Sequence, residues 1–248
     1  MLDLHVDHDH HRAVFTLAGE PGSLAGALLT GAREAVERID LRAHAGEHPR
    51  VGVIDVAPFV YLSEADRGAA CAEALVAAHR LGHELELPVY LYGALAGGRT
   101  RAQLRRGGID GLAEIAPDYG PCKPHPSAGA VLVAARPPLI AFNVELARTV
   151  TTGQARTIAA RIREGGEAGL PGVRALGLLL PSAGIVQVST NIEDHELTSP
   201  AAVVAAVARH AEVAGAELVG LAPAAAFADF PASVPLRGLR TIEQALGR

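Results

Sequence analysis

Short apolar runs, most of them ending at glycine or proline, alternate through this chain with longer stretches that carry helix-start signals. That alternation restricts the fold more than any other feature. A run of four to eight apolar residues reads as a strand, and a longer stretch with apolar positions three and four apart reads as an amphipathic helix. The predicted strands are Leu2–Val6, Ala13–Ala18, a central strand at Val51–Tyr61 with Pro58 near its end or at a bulge, Pro88–Tyr92, Ala130–Ala135 and Leu139–Val144. The last two are expected to pair through a Pro137-Pro138 turn. Val173–Leu180 and Ile185–Asn191 form a hairpin around Pro181–Gly184, and Glu217–Leu221 closes the series.

Helices are predicted at Ser23–Arg38, from the capping-box pattern at Ser63 to about Gly82, and at Thr152–Glu164, where Thr151 and Gln154 form a second box. A further helix opens with Ser199 as N-cap and Pro200 at its first position. Hairpins and crossovers both occur. The expected fold is therefore α/β, of the α+β type. It has two subdomains, each a mixed β-sheet with helices packed mainly on one face and a cleft between them. The boundary falls near Leu146–Thr152, so the subdomains are residues 1–147 and 148–248.

Composition narrows the function. The chain has 248 residues, 49% of them hydrophobic, which suffices for one or two cores. A formal net charge of −5, 4% aromatic residues and no tryptophan argue against a nucleic-acid partner, which needs a positive face or stacking platforms. No apolar run reaches the length of a membrane span, and no signal peptide is visible at Met1–His5. Two cysteines, Cys71 and Cys122, do not make a disulfide framework, so a reduced cytoplasmic protein is expected.

Three stretches could carry chemistry. Asp7-His8-Asp9-His10-His11-Arg12 alternates carboxylate and imidazole, the donor set of a divalent metal, but on local sequence a solvated turn with incidental histidines is the favoured reading. His44 and His48 flank Gly46-Glu47, and Pro49-Arg50 follow. This loop presents His48 just before an apolar strand, and imidazole is suited to acid and base work because it titrates near neutrality. Pro117–Gly129 is rich in glycine and proline and leaves many backbone N–H groups free for a flat polar ligand. It also holds Lys123, the one lysine of the chain, a charge that would attract carboxylates. On spacing alone, a backbone-satisfied His48 and a plain surface linker remain open readings.

Taken in order, these segments resemble the formiminotransferase domain family. The resemblance rests on Gly46-Glu47-His48-Pro49-Arg50, Asp55-Val56-Ala57-Pro58-Phe59, Pro88–Gly93 and Pro117-Asp118-Tyr119-Gly120-Pro121. It continues through Leu139-Ile140-Ala141-Phe142-Asn143-Val144, Gln187-Val188-Ser189-Thr190-Asn191 and Leu218-Val219-Gly220-Leu221. It covers about Leu2 to Leu246. In the family a strand and helix with a Pro-Asn-Phe-Ser-Glu-Gly-like motif precede the segment matching Leu2, which reads either as a mis-chosen start codon or as a shortened relative with altered substrate. The family's aromatic loop stretch is replaced here by Cys122-Lys123-Pro124-His125.

The resemblance implies a homodimeric enzyme that moves a formimino (or formyl) group between glutamate and tetrahydrofolate. Folate serves as cosubstrate and no metal is expected. It implies His48 as general acid and base. It implies folate binding by Gly120, Pro121, Cys122, Lys123, Pro124, His125, Pro126, Ser127, Ala128 and Gly129. Substrate-cleft residues would come from Asp7, Arg12, Arg50, Asn143, Gln187, Asn191 and Glu217. The alternatives are a catalytically impaired folate-binding protein, a metal-dependent hydrolase built on Asp7, Asp9, His10 and His11, and a purely structural partner protein.

Overall fold

The structure is a computed structural model that describes residues 1–44 and 50–247. Strands β1 (Asp3–Asp7) and β2 (Arg12–Thr16) open the chain as a hairpin, followed by helix α1 (Leu24–Arg38). Then come β3 (Val56–Val60), α2 (Arg67–Glu84), β4 (Val89–Leu91), the short helices α3 (Arg101–Leu104) and α4 (Gly108–Ala113), and β5 (Val131–Arg136). The rest of the chain supplies β6 (Ile140–Leu146), α5 (Thr152–Ile162), β7 (Val173–Leu180), β8 (Ile185–Ile192) and α6 (Pro200–Ala208). It closes with β9 (Val213–Val219), β10 (Leu236–Arg237) and α7 (Ile242–Leu246).

The chain forms two compact units. A middle unit spans Ala18–Pro137, and a terminal unit joins Met1–Leu17 to Pro138–Arg248. Their division between Pro137 and Pro138 lies ahead of the expected 147/148 boundary, because β6 is hydrogen bonded to β8 and β9 and cannot leave their sheet. For the same reason β5 and β6 are not a hairpin. They belong to different sheets on either side of Pro137-Pro138.

In the middle unit the strand order is β3-β5-β4, all parallel. β5 is the central strand, and β3 lies at the edge of the described sheet, the reverse of the sequence expectation. Pro58 sits inside β3, opposite Ala134, where an edge position spares the missing N–H. Alternation along the strands splits two cores. Phe59, Val89, Leu91, Val131 and Val133 pack with Leu29, Ala74, Ala77 and Leu81 of α1 and α2. Tyr90, Leu132 and Ala134 pack with Leu104 and Leu112. The expected one-sided helical cover is thus supplemented here by α3 and α4, as a parallel sheet requires. Ser63 does not close a capping box. Its hydroxyl donates to Asp66, and a single turn of 3₁₀ helix leads into α2.

The terminal unit holds a mixed five-stranded sheet, β10-β9-β6-β8-β7. Ile140, Phe142, Val144, Val188 and Leu218 turn one face toward Ile158, Ile162, Val203 and Val207 of α5 and α6. Phe142 also meets Phe227 and Phe230 edge-on at 6.2 and 6.0 Å. The box predicted at Thr151 is present. Its hydroxyl accepts the Gln154 N–H at 3.2 Å, and the Gln154 side chain accepts the Thr151 N–H at 2.8 Å. Replacing Thr151 with alanine should lower stability by about 1 kcal/mol, read as a shift in the urea midpoint without a change in slope.

Candidate active site

His48, with Ala45, Gly46, Glu47 and Pro49, lies outside the described residues. Both flanks of that stretch are described, and both are stitched to the same loop. On the leading flank the Leu41 N–H donates to the Ser127 carbonyl at 2.7 Å. On the trailing flank the Ala130 N–H donates to Val51 O, and the Val53 N–H to Ala128 O, each at 2.9 Å. Arg50 donates to the His44 carbonyl at 2.8 Å. The expected folate loop and the ends of the segment that carries His48 are therefore one fastened structure.

Glycine makes the fastening possible. A Cβ on Gly52 would stand 1.8 Å from the Ala130 oxygen, and one on Gly129, whose φ is +71°, would stand 2.3 Å from Val51 O. The other end of the loop is held the same way, with Gly120 against Gly82 and Leu87 O. Within the loop His125 and Gly129 exchange backbone hydrogen bonds of 2.8 and 2.9 Å. The His125 Nδ1 accepts the Ala128 N–H at 3.1 Å, which assigns the ring proton to Nε2. Pro121, Cys122 and Lys123 are exposed.

Asp55, which the sequence reading quoted but gave no role, is the buried anchor of this region. Its carboxylate accepts the Val51 N–H at 2.9 Å and pairs with Arg105, both side chains being largely buried. Its φ of +32° is a left-handed conformation that aspartate tolerates better than the β-branched residues beside it. The signal was available. A single carboxylate between Ile54 and Val56 in an apolar run implies a buried partner.

In the terminal unit, strand register gathers four of the expected cleft residues. The face of the sheet opposite α5 and α6 carries Asn143 between Ser189 and Glu217, Glu145 opposite Gln187, and Ala141 opposite Asn191. Asn143 donates to the Glu217 carboxylate at 3.1 Å. Glu217 lies inside β9, which starts at Val213, ahead of the expected strand start at Glu217. Arg237 on β10 pairs with both Glu145 and Glu217. The Glu145 hydrogen bond, with further support from Glu217 and Asp7, outweighs burial and raises the Arg237 pKa. Sequence reading missed Glu145 and Arg237. Period-two alternation from Asn143 would have found the first, but only the strand order brings the second.

Asp7 and Arg12 face each other at the end of the β1–β2 hairpin. Burial raises the Asp7 pKa, but the His10 N–H at 2.7 Å and its ring at 2.8 Å outweigh that effect and hold the carboxyl below its ordinary value. Asp9 accepts the Ser182 N–H at 3.0 Å. Asp7 thus closes its own turn, and Asp9 ties that turn to the one between β7 and β8. Among the described residues no group of three or more His, Cys, Asp or Glu side chains is placed to hold a metal ion. Nor is any described helix long and apolar enough to cross a membrane.

Comparison with known proteins also divides the chain close to Pro137-Pro138, although Met1–Leu17 fall in the first family segment and in the terminal unit. The family model for the formiminotransferase domain, N-terminal subdomain, matches residues 1–136, and the model for the formiminotransferase domain matches residues 141–232. The formimidoyltransferase-cyclodeaminase of Rattus norvegicus is 38% identical over 250 residues, covering 92% of this chain and 46% of that protein. The glutamate formimidoyltransferase of Streptococcus pyogenes serotype M1 is 37% identical over 243 residues, covering 92% of this chain and 81% of that protein. The glutamate formimidoyltransferase of Thermoplasma acidophilum is 34% identical, over 80% of this chain and 68% of that protein. The chain spans about half the length of the formimidoyltransferase-cyclodeaminases it matches.

Proposed function

We propose, from the premise that this chain belongs to the formiminotransferase domain family, that it transfers a formimino group between glutamate and tetrahydrofolate. The observation that carries this reading is the tandem match of both family segments, which together cover nearly all of the chain. A folate nitrogen attacks the formimino carbon, a tetrahedral intermediate forms, and the bond from that carbon to the glutamate nitrogen breaks. The attacking nitrogen must lose a proton and the departing one must gain a proton. One imidazole can serve both, and His48 is assigned that role. Holding both substrates together supplies much of the remaining rate.

The loop Gly120–Gly129 is assigned to folate. Its anchorage to Leu41, Val51 and Val53 supports this, since a loop fixed at several points loses little freedom when it closes on a ligand. The polar face bearing Asn143, Gln187, Asn191 and Glu217 is assigned to substrate, with Asp7 and Arg12 of the same unit; Arg50 is a separate substrate candidate in the middle unit. The enzyme is taken to work as a homodimer in the cytoplasm, with Cys71 and Cys122 as free thiols.

A coupled assay with tetrahydrofolate and N-formiminoglutamate tests the reading, with turnover that requires both as the expected result. Folate binding without turnover on either a formimino or a formyl donor would instead identify a binding protein and overturn the enzymatic assignment.

A further inference from the structure

Helix α2 runs without a break through Gly82 to Glu84, so His79 and His83 stand four residues apart on one face of it. Both residues are exposed. Their rings lie nearly parallel, 13° apart, with centroids separated by 5.7 Å. Among the described residues neither ring has a hydrogen-bond partner. Tyr119 meets His79 edge-on at 6.2 Å. Gly82, on the turn between the two histidines, lies so close to Gly120 that a Cβ would stand 2.7 Å from its nitrogen. The packing of Tyr119 and Gly120 thus fixes the helix turn that carries both imidazoles. The charged groups of that turn are engaged with each other, since Glu84 pairs with Arg80 at 2.7 Å and with Arg33 at 2.6 Å.

We propose that His79 and His83 form a chelating site for a divalent transition metal of the Cu²⁺, Ni²⁺ and Zn²⁺ class. Two imidazoles on one ion, with metal–nitrogen bonds of about 2.0–2.1 Å, hold their ring centroids about 5 Å apart, close to the spacing of these two rings. Rotation about the Cβ–Cγ bonds, a soft torsion in histidine, aims a nitrogen of each ring at one ion. Imidazole nitrogen favours these metals, whereas Mg²⁺ and Ca²⁺ take oxygen ligands. No third His, Cys, Asp or Glu among the described residues joins the pair, so water fills the remaining positions. Chelation spans one helical turn and therefore requires the helix to be formed. The ion binds the folded chain in preference to the unfolded one and stabilises it. The site uses none of the residues assigned to formimino transfer.

The test is calorimetric titration of the metal-free full chain with NiCl₂, for wild type, His79→Gln and His83→Gln, with thermal midpoints taken alongside. Both positions are exposed, and glutamine is a good helix former, so the variants keep the fold. Wild type is expected to bind one Ni²⁺ at an affinity that each variant loses by at least about tenfold, since one imidazole lacks the effective concentration that two supply to each other. Ni²⁺ at about ten times the dissociation constant should raise the wild-type midpoint by about 3–5 °C more than that of either variant. MgCl₂ should shift none of the three. Full Ni²⁺ affinity in either variant would overturn the proposal, because one ring would then suffice or the ion would sit elsewhere. A wild type that binds no Ni²⁺, or a midpoint that rises equally in all three proteins, would overturn it as well.

Discussion

His48→Ala should slow formimino transfer by about 10²–10⁴-fold while tetrahydrofolate still binds within a few-fold of wild type. The size of the effect follows from the role. Removing a group that both takes and returns a proton leaves water to do each step, whereas a residue that only contacts substrate changes KM. The loop assigned to folate is held by backbone hydrogen bonds to Leu41, Val51 and Val53, so folate affinity is expected to persist. The measurement is kcat in the coupled assay together with calorimetric folate affinity. Near wild-type kcat would remove His48 from the chemistry. Parallel loss of folate affinity would make it a binding residue instead.

Arg105→Met should destabilise the protein by about 3–5 kcal/mol, because it removes the guanidinium that pairs with the largely buried Asp55 carboxylate. Asp55 also receives the Val51 N–H and holds a left-handed backbone, so its displacement loosens the strand start next to the fastened loop. The double variant Asp55→Asn, Arg105→Met should recover part of the loss, since the buried carboxylate charge is then gone and the asparagine oxygen can still accept the Val51 N–H. Urea unfolding of the single and double variants measures this. A single-variant loss under about 1 kcal/mol, or a double variant no better than the single, would show that the pair is solvated and contributes little.

The helices illustrate what was legible. Thr151 with Gln154 and Ser199 with Pro200 mark their own helix starts, because the capping group and the N–H it accepts lie within four residues. The β7–β8 hairpin was equally plain, since a short turn forces neighbouring strands to pair. The errors came where contact is distant in sequence. Pro137-Pro138 looks like a hairpin turn but is a crossing between units, and the apolar run ending at Tyr61 looks central but forms the edge β3. Apolar content reports that a strand is buried, not which strands flank it.

The candidate site divides in the same way. The ordered motifs from Gly46 to Leu221 and the polar residue types at His48, Asn143, Gln187, Asn191 and Glu217 were determined by sequence alone, as was the family they indicate. Only the tertiary structure decided that Asn143, Gln187 and Glu217 share one sheet face with Glu145 and Arg237, and that Asp55 meets Arg105. The physical reason is the range of the interactions. Caps, turns and alternation act over a few residues and are written locally. Strand order and the pairing of a buried charge depend on which distant segments exclude water together, and local periodicity carries no record of that choice.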